Sequence, residues 1–336
     1  MPGDSSSGTP FILLHAKLPN MPLWQGQGAI LAALVLVGVD AIASAHNYDC
    51  LPGVALMRST KEKAELCRAL HAGAEPTLSA ACWDVGTACL LAHLGVPLID
   101  TTSFGAMATR GLPDAVGLAT RNFILDNARL IAAAVDLPVQ ADLENGFGDS
   151  PKIVAQTILE ASTTGIVGGS IEDATGRPAD PIYPLEFAKE RIHAAAEAPR
   201  ALPFPFMLTA RADQYLWGRA DLAEVIRRAQ AFETAGANAI MVPGLSDLAA
   251  LKSLCDSVSL PVVVLIGAGP SGPPRERLAA TGAKRIGVGG AMARAALSAF
   301  VSTARDLIEG RELDGLRYAM SGREITEIFQ RRLASS

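Results

Sequence analysis

AHLGVPLID, residues 92–100, joins the end of a helical stretch, a single glycine and an apolar run that closes on an acid. The same phrase returns as ASTTGIVGGS (161–170), ETAGANAIMV (233–242) and AATGAKRIGV (279–288). Glycine at that place suits the left-handed residue that terminates a helix. The run after it has the length and composition of a buried strand. Working outward, eight such runs appear from Thr77 onward: TLSAACW (77–83), PLIDTTS (97–103), PVQADLE (138–144), IVGGSIE (166–172), FPFMLTA (204–210), NAIMVPG (238–244), PVVVLIG (261–267) and KRIGVGG (284–290). The segments between them are helical in pattern. SPKIVAQTILEASTTG opens on Ser150-Pro151, an N-cap followed by a first-turn proline. DLAEVIRRAQAFETAG opens on Asp221 with Glu224 three residues on, a capping-box pattern.

Strands alternating with helices give a parallel sheet, and eight of them predict a closed (β/α)8 TIM barrel. A doubly wound sheet is the competing fold. It would carry a glycine-rich dinucleotide loop after its first strand, and TLSAACW is followed by none. The expected organisation is an N-terminal extension over 1–58, a barrel over 59–310 and a C-terminal helical segment over 311–336.

The 336 residues are 49% hydrophobic and 19% charged, enough apolar material for a large core. A net charge of −5 with no basic run gives no reason to expect nucleic acid as a partner. The five cysteines (Cys50, Cys67, Cys82, Cys89 and Cys255) are odd in number and hold no CxxC pair, so neither a disulfide framework nor a zinc site is indicated. Residues 29–45 are apolar but short for a bilayer span and interrupted by Asp40. Lys17 is the only basic residue before Arg58, which argues against a secretory signal. A packing helix in a cytoplasmic protein is the expectation.

Active sites of such barrels lie at the C-terminal ends of the strands. Side chains two apart on a strand share a face. Asp142 and Glu144 therefore point the same way at the end of strand three, and Gly146 and Gly148 let the chain turn sharply beyond them. Strand one ends in Trp83-Asp84, strand four in Glu172-Asp173 and strand five in Arg211 with Asp213 beyond. The loop TTSFGAMATRGLPD after strand two closes on Asp114. Like charges converging on one mouth repel by about 1–4 kcal/mol per contact, and a hard divalent cation such as Mg2+ removes the conflict. Arg211 suits the bidentate grip of a carboxylate. The other reading of such acids is that they cap the next helix, as Asp149 and Asp173 could.

On these residues the sequence resembles the isocitrate lyase/phosphoenolpyruvate mutase superfamily. The resemblance runs from about Ser59 to Glu309 and is carried by SAACWDVGTACLLAHLGVPLIDTTSFG, PVQADLENGFGD, GGSIEDATG, LTARAD and AGANAIMVPG. It implies a barrel whose last helix is exchanged between subunits, in a homodimer or homotetramer, and a Mg2+ (or Mn2+) ion that holds a small carboxylate substrate. The family's metal-binding D-x-D-x-G-[YF]-G matches Asp142 to Gly148, with Glu144 one methylene longer than the family's second acid. Glu172 matches the strand-four acid and completes the implied metal set Asp142, Glu144 and Glu172. Thr102, Ser103 and Phe104 match the substrate-carboxylate loop. Arg211 matches the strand-five arginine, and Asp114, Arg211 and Glu172 are the implied catalytic groups.

Two departures stand out. The loop after strand four, ATGRPADPIYPLEF (174–187), has no Cys, Lys, His or Asn, leaving only Arg177, Asp180 and Tyr183 to handle a proton. Pro243-Gly244 replaces a histidine found in relatives after strand six. The function this implies is a lyase cleaving a C–C bond in a 2-hydroxy or 2-oxo acid through a pyruvate-type enolate. P–C bond (mutase) chemistry remains open. So does a phosphosugar isomerase or aldolase, from the glycine-rich loops IGAGPSG (266–272) and GVGGAMAR (287–294), and so does a metal-binding pseudoenzyme.

Overall fold

The computed structural model describes residues 57–267 and 273–335. The apolar stretch 29–45, Cys50 and most of the IGAGPSG loop lie outside the described residues. The chain runs α1 (Thr60–Ala72), β1 (Thr77–Cys82), α2 (Val85–His93), β2 (Leu98–Thr101), α3 (Ser103–Ala108), α4 (Arg121–Ala134), β3 (Val139–Asp142), α5 (Pro151–Ser162) and β4 (Gly168–Glu172). It continues α6 (Leu185–Glu197), β5 (Met207–Arg211), α7 (Leu222–Thr234), β6 (Ala239–Met241), α8 (Leu248–Ser257), β7 (Val262–Ile266), α9 (Arg275–Ala279), β8 (Arg285–Val288), α10 (Ala291–Ile308) and α11 (Gly322–Ser335). All eight strands pair in parallel with their sequence neighbours, and β8 closes on β1. The protein is a (β/α)8 barrel, and the doubly wound alternative is excluded because no sheet edge remains.

The recurring glycine now has its physical reason. Gly95, Gly165, Gly236 and Gly282 all have φ between +79° and +101°, the region where a Cβ is strained. Ser150 caps α5 with Pro151 in its first turn, as read from the sequence. Asp221 caps α7 through the amides of Ala223 and Glu224. The other half of that capping box does not form, because Glu224 turns to pair with Arg227 and Arg228.

Helix α1, begun by a reciprocal Ser59–Glu62 capping box, closes the bottom of the barrel. Its Ala64 and Cys67 pack on Leu98, Val167 and Met207 from the strand starts. His71, also on α1, faces the buried Arg285 of β8: the guanidinium donates to Nε2 at 3.2 Å, while Nδ1 lies 2.8 Å from the Cys67 carbonyl. The ring is therefore neutral, with its proton on Nδ1. Burial first, then the neighbouring Arg285 charge, push its pKa down to about 4. An unfolded histidine titrates near 6.5. The stability gained by keeping this ring neutral is complete above pH 6.5 and is lost as pH falls through 4, about 3 kcal/mol in all. Urea unfolding at pH 7 and at pH 4.5 is expected to show this loss in the wild type and a smaller one in His71→Gln. Equal losses would remove His71 as the cause.

The C-terminal elements differ in how much of each is covered. Helix α11 packs on α2, burying Ile328 and setting Phe329 near Gly86. Helix α10 is the one left bare. Of its eighteen residues only Ala293 is buried, and Phe300 is 73% exposed.

Candidate active site

The eight strands and the loops at their C-terminal ends enclose a cavity of about 420 Å3. Asp142, the last residue of β3, stands at its centre. Its Oδ2 accepts from the Ser103 amide at 3.2 Å and the Ser103 hydroxyl at 2.9 Å. Its Oδ1 accepts from Arg211 Nη1 at 3.0 Å. Glu172 and Arg211 are direct register partners on β4 and β5, which brings Arg211 Nη2 within 3.0 Å of Glu172 Oε2. Asp213 takes the same guanidinium in a fork, at 3.2 Å from Nε and 2.8 Å from Nη2. Arg211 is thus the hub of three carboxylates drawn from three strand ends.

Glu144 completes the acid side. It sits just past β3 with φ +46°, a left-handed conformation costly for a side chain of this size. Phe147, at φ +62°, shares the strain of that turn. The turn is held from below by the fully buried Arg191 of α6, which donates to the carbonyls of Asn145, Gly148 and Asp149. Glu144 Oε1 is buried with no hydrogen-bond partner, and so is Asp114 Oδ1. Burial, then the charges of Asp142 and Asp114, push the Glu144 carboxyl up to about 8. Burial and then Asp142 raise Asp114 as well. Burial raises Glu172 well above the ordinary range despite the opposing pull of Arg211.

The loop after β2 behaves as its small residues suggest, with one addition: residues 103–108 coil into α3. Thr102, Ser103 and Phe104 all line the cavity. Trp83 does not. It packs where a side chain on Gly105 would stand, 2.5 Å from the position of that missing Cβ.

Asp84 and Asp173, read as strand-end acids, have other work, and Asp149, read as a possible helix cap, leaves that role to Ser150. Asp84 is the N-cap of α2, bonded to the Thr87 amide at 2.7 Å. Asp173 accepts from the Asp213 amide, Gln214 and Arg228, fixing the turn after β5. Asp149 pairs with Arg177 and Tyr183. The loop after β4 contributes none of its proton-handling groups to the cavity: Tyr183 is buried, and none of Arg177, Asp180 and Tyr183 is among the lining residues.

Sequence reasoning passed over Asp100, Gln140 and Arg285, which form the cavity floor, and gave Asp213 no role. The signal for Asp213 was present in its i, i+2 spacing from Arg211, the rule that found Glu144 beside Asp142.

A cation fits this donor set. Six acids and three arginines line the cavity, carboxylates are the oxygen donors a hard ion prefers, and two buried carboxylate oxygens lack partners. Among the described residues no three acidic side chains are already gathered as a ligand set, because the Arg211 guanidinium stands between Asp142 and Glu172.

The family model for phosphoenolpyruvate phosphomutase matches residues 67–308. The chain belongs to that family, within the isocitrate lyase/phosphoenolpyruvate mutase superfamily. An oxaloacetate decarboxylase of Marinomonas sp. (strain MWYL1) is 29% identical over 245 residues, covering 71% of this chain and 83% of that protein. A Burkholderia cenocepacia J2315 crystal structure, described as a lyase/mutase, is 44% identical with a TM-score of 0.77, over 80% of this chain and 96% of that one. Phosphonopyruvate hydrolase, solved with oxalate and Mg2+, is 25% identical with a TM-score of 0.70, over 81% and 96%. As a member of this superfamily the chain is an enzyme of the lyase type, and among its described residues no helix is long and apolar enough to cross a membrane.

Proposed function

We propose that this phosphomutase-family protein is a Mg2+-dependent lyase that cleaves a C–C bond in a small 2-hydroxy or 2-oxo carboxylate. The observation that carries the reading is the excess of buried carboxylates over cations in one cavity, with Glu144 Oε1 and Asp114 Oδ1 unpartnered. Asp142, with Glu144 and Glu172 directly or through water, would hold the ion (Mn2+ serving equally). When bound, the ion supplies Lewis-acid stabilisation of charge on the substrate oxygens.

The remaining steps belong to side chains. Thr102, Ser103 and Phe104 orient the substrate carboxylate from the β2 side. Asp114, near the cavity and lacking a partner at Oδ1, takes the proton that starts a retro-aldol cleavage. Glu172, 3.0 Å from Arg211 Nη2, fixes that guanidinium beside the ion's cradle, and the proton taken up by Asp114 is the one returned to the pyruvate-type fragment. Arg211 stays charged, since Asp213, Glu172 and Asp142 outweigh the burial that opposes it. It opposes the negative charge as it develops.

The test is a panel of 2-oxo and 2-hydroxy acids assayed for pyruvate or glyoxylate release, with Mg2+ and with a chelator. Release that requires the metal supports the proposal; a metal-loaded protein that yields no product supports a non-catalytic binding role. Because Glu144 titrates at about 8, a proton competes with the ion for it at neutral pH. Half-saturating Mg2+ is therefore expected to fall about tenfold per pH unit between pH 6 and 7.5. A flat profile over that interval would remove Glu144 from the metal set.

We further propose a cytoplasmic homodimer or homotetramer. No disulfide joins the described cysteines, and Phe300 and Ile308 on α10 are 73% and 84% exposed, an apolar face suited to a second copy. Light scattering is expected to give an oligomer, and Phe300→Glu a smaller species. A monomeric wild type would rule this out.

A further inference from the structure

The cavity has two chemically opposite halves. The β2–β5 side carries Asp100, Asp114, Asp142, Glu144, Glu172, Arg211 and Asp213. The side formed by β6, β7 and the turn after β5 presents Leu216, Trp217, Met241, Pro243 and Leu265. Met241 and Leu265 belong to an apolar cluster with Ala239 and Val263 on the barrel interior, so this wall is continuous with a hydrophobic core.

Two of the three cavity arginines are committed to side-chain partners, and the third stands at the rim. Arg211 is forked by Asp213 and paired with Asp142 and Glu172. Arg285, at the floor, has both terminal nitrogens directed to Gln140, His71 and Asp100, with Nε alone unpartnered. Arg294, at the rim, donates to the Gly267 carbonyl and lies over Phe104. Opposite the acid cluster, then, the described residues offer a substrate tail apolar contact, and Arg294, the lining arginine with N–H groups to spare, stands exposed at the rim beside Phe104 and not on this wall.

We infer that the tail of the substrate is an uncharged alkyl group seated on the Leu216–Met241–Leu265 wall, and that this wall excludes a second carboxylate. The inference rests on the proposed chelation of a 2-oxo acid head by the acid side. A carboxylate moved from water onto such a wall loses hydration without gaining a partner, whereas each methylene placed there is stabilised. Leu216, half exposed at the rim, sets the preference from a position where a charged replacement does not disturb the core.

The experiment uses two ligands that need no turnover. 2-Oxohexanoate and 2-oxoadipate share a six-carbon chain and a 2-oxo acid head, and differ in ending on a methyl group or a carboxylate. Calorimetric titration of the Mg2+-loaded full-length protein is expected to give about tenfold tighter binding of 2-oxohexanoate, with Leu216→Arg reversing or abolishing the preference. Equal affinities, or tighter 2-oxoadipate, overturn the inference. Oxalate, a bare head group, separates the two levels. If oxalate binds and the tails are not discriminated, only the inference fails. If neither oxalate nor either tail ligand binds, the chelation reading fails and the inference with it.

Discussion

Asp142→Asn is expected to lower kcat/KM on any 2-oxo or 2-hydroxy acid the protein cleaves by about 1,000-fold, equivalent to about 4 kcal/mol of transition-state stabilisation. The substitution keeps the size of the side chain and can still accept from Ser103, whose hydroxyl lies 2.9 Å from Oδ2. It removes the charge that would hold the ion and one of the three carboxylates around Arg211. The loss should not be rescued by raising Mg2+, and thermal stability should change little by comparison. A variant that keeps the wild-type rate in added Mg2+ would show that Asp142 is not a metal ligand, and the lyase reading would lose its anchor.

Gly168→Ala should have the largest effect on folding. Gly168 opens β4 in register with Gln140 of β3 and Met207 of β5. A Cβ there would stand 2.5 Å from the Met207 carbonyl oxygen and 2.9 Å from the Met207 Cβ. The first of these atoms is backbone, so no rotamer change relieves the overlap, and a closed barrel has no edge along which β4 and β5 can part. Loss of about 3 kcal/mol or more is expected, seen as a large fall in the urea midpoint or as failure to fold. Gly95→Ala is the control. Its Cβ would meet nothing within 4 Å, so the cost comes only from the φ of +79°, about 1 kcal/mol. If the two variants are equally stable, the tight β4–β5 approach is not a constraint.

Much of the site was legible because it follows from local rules. The alternation of side chains along a strand pointed to Asp142 and Glu144 at one mouth, and both line the cavity, although β3 ends at Asp142 and a left-handed turn brings Glu144 in. The same rule applied to Arg211 and Asp213 would have found the fork that now occupies Arg211. Asp84 shows the limit. By composition it is one more acid at a strand end, yet the chain leaves β1 one residue earlier, and Asp84 caps α2. Tyr183 shows it again. In sequence it is one of three residues able to handle a proton in a loop poor in such groups. In the fold its hydroxyl is taken by Asp149, and the loop hangs outside the cavity.

Read alone, the chain of residues determined the order and number of strands, the glycine-ended helices, the closed barrel and the acids that gather at the strand ends. These follow from hydrophobic periodicity, caps and turn chemistry, all of which act over a few neighbouring residues. Tertiary structure decided which acids share Arg211, that Gln140, Asp100 and Arg285 form a floor, that α11 packs back on α2 while α10 stands bare, and that the half of the cavity facing the acids is apolar. Arg211 meets Asp142 across 69 residues, and Arg285 meets His71 across 214. Contacts at such separations exist only once the ring of strands has closed, and no local preference in the sequence records them.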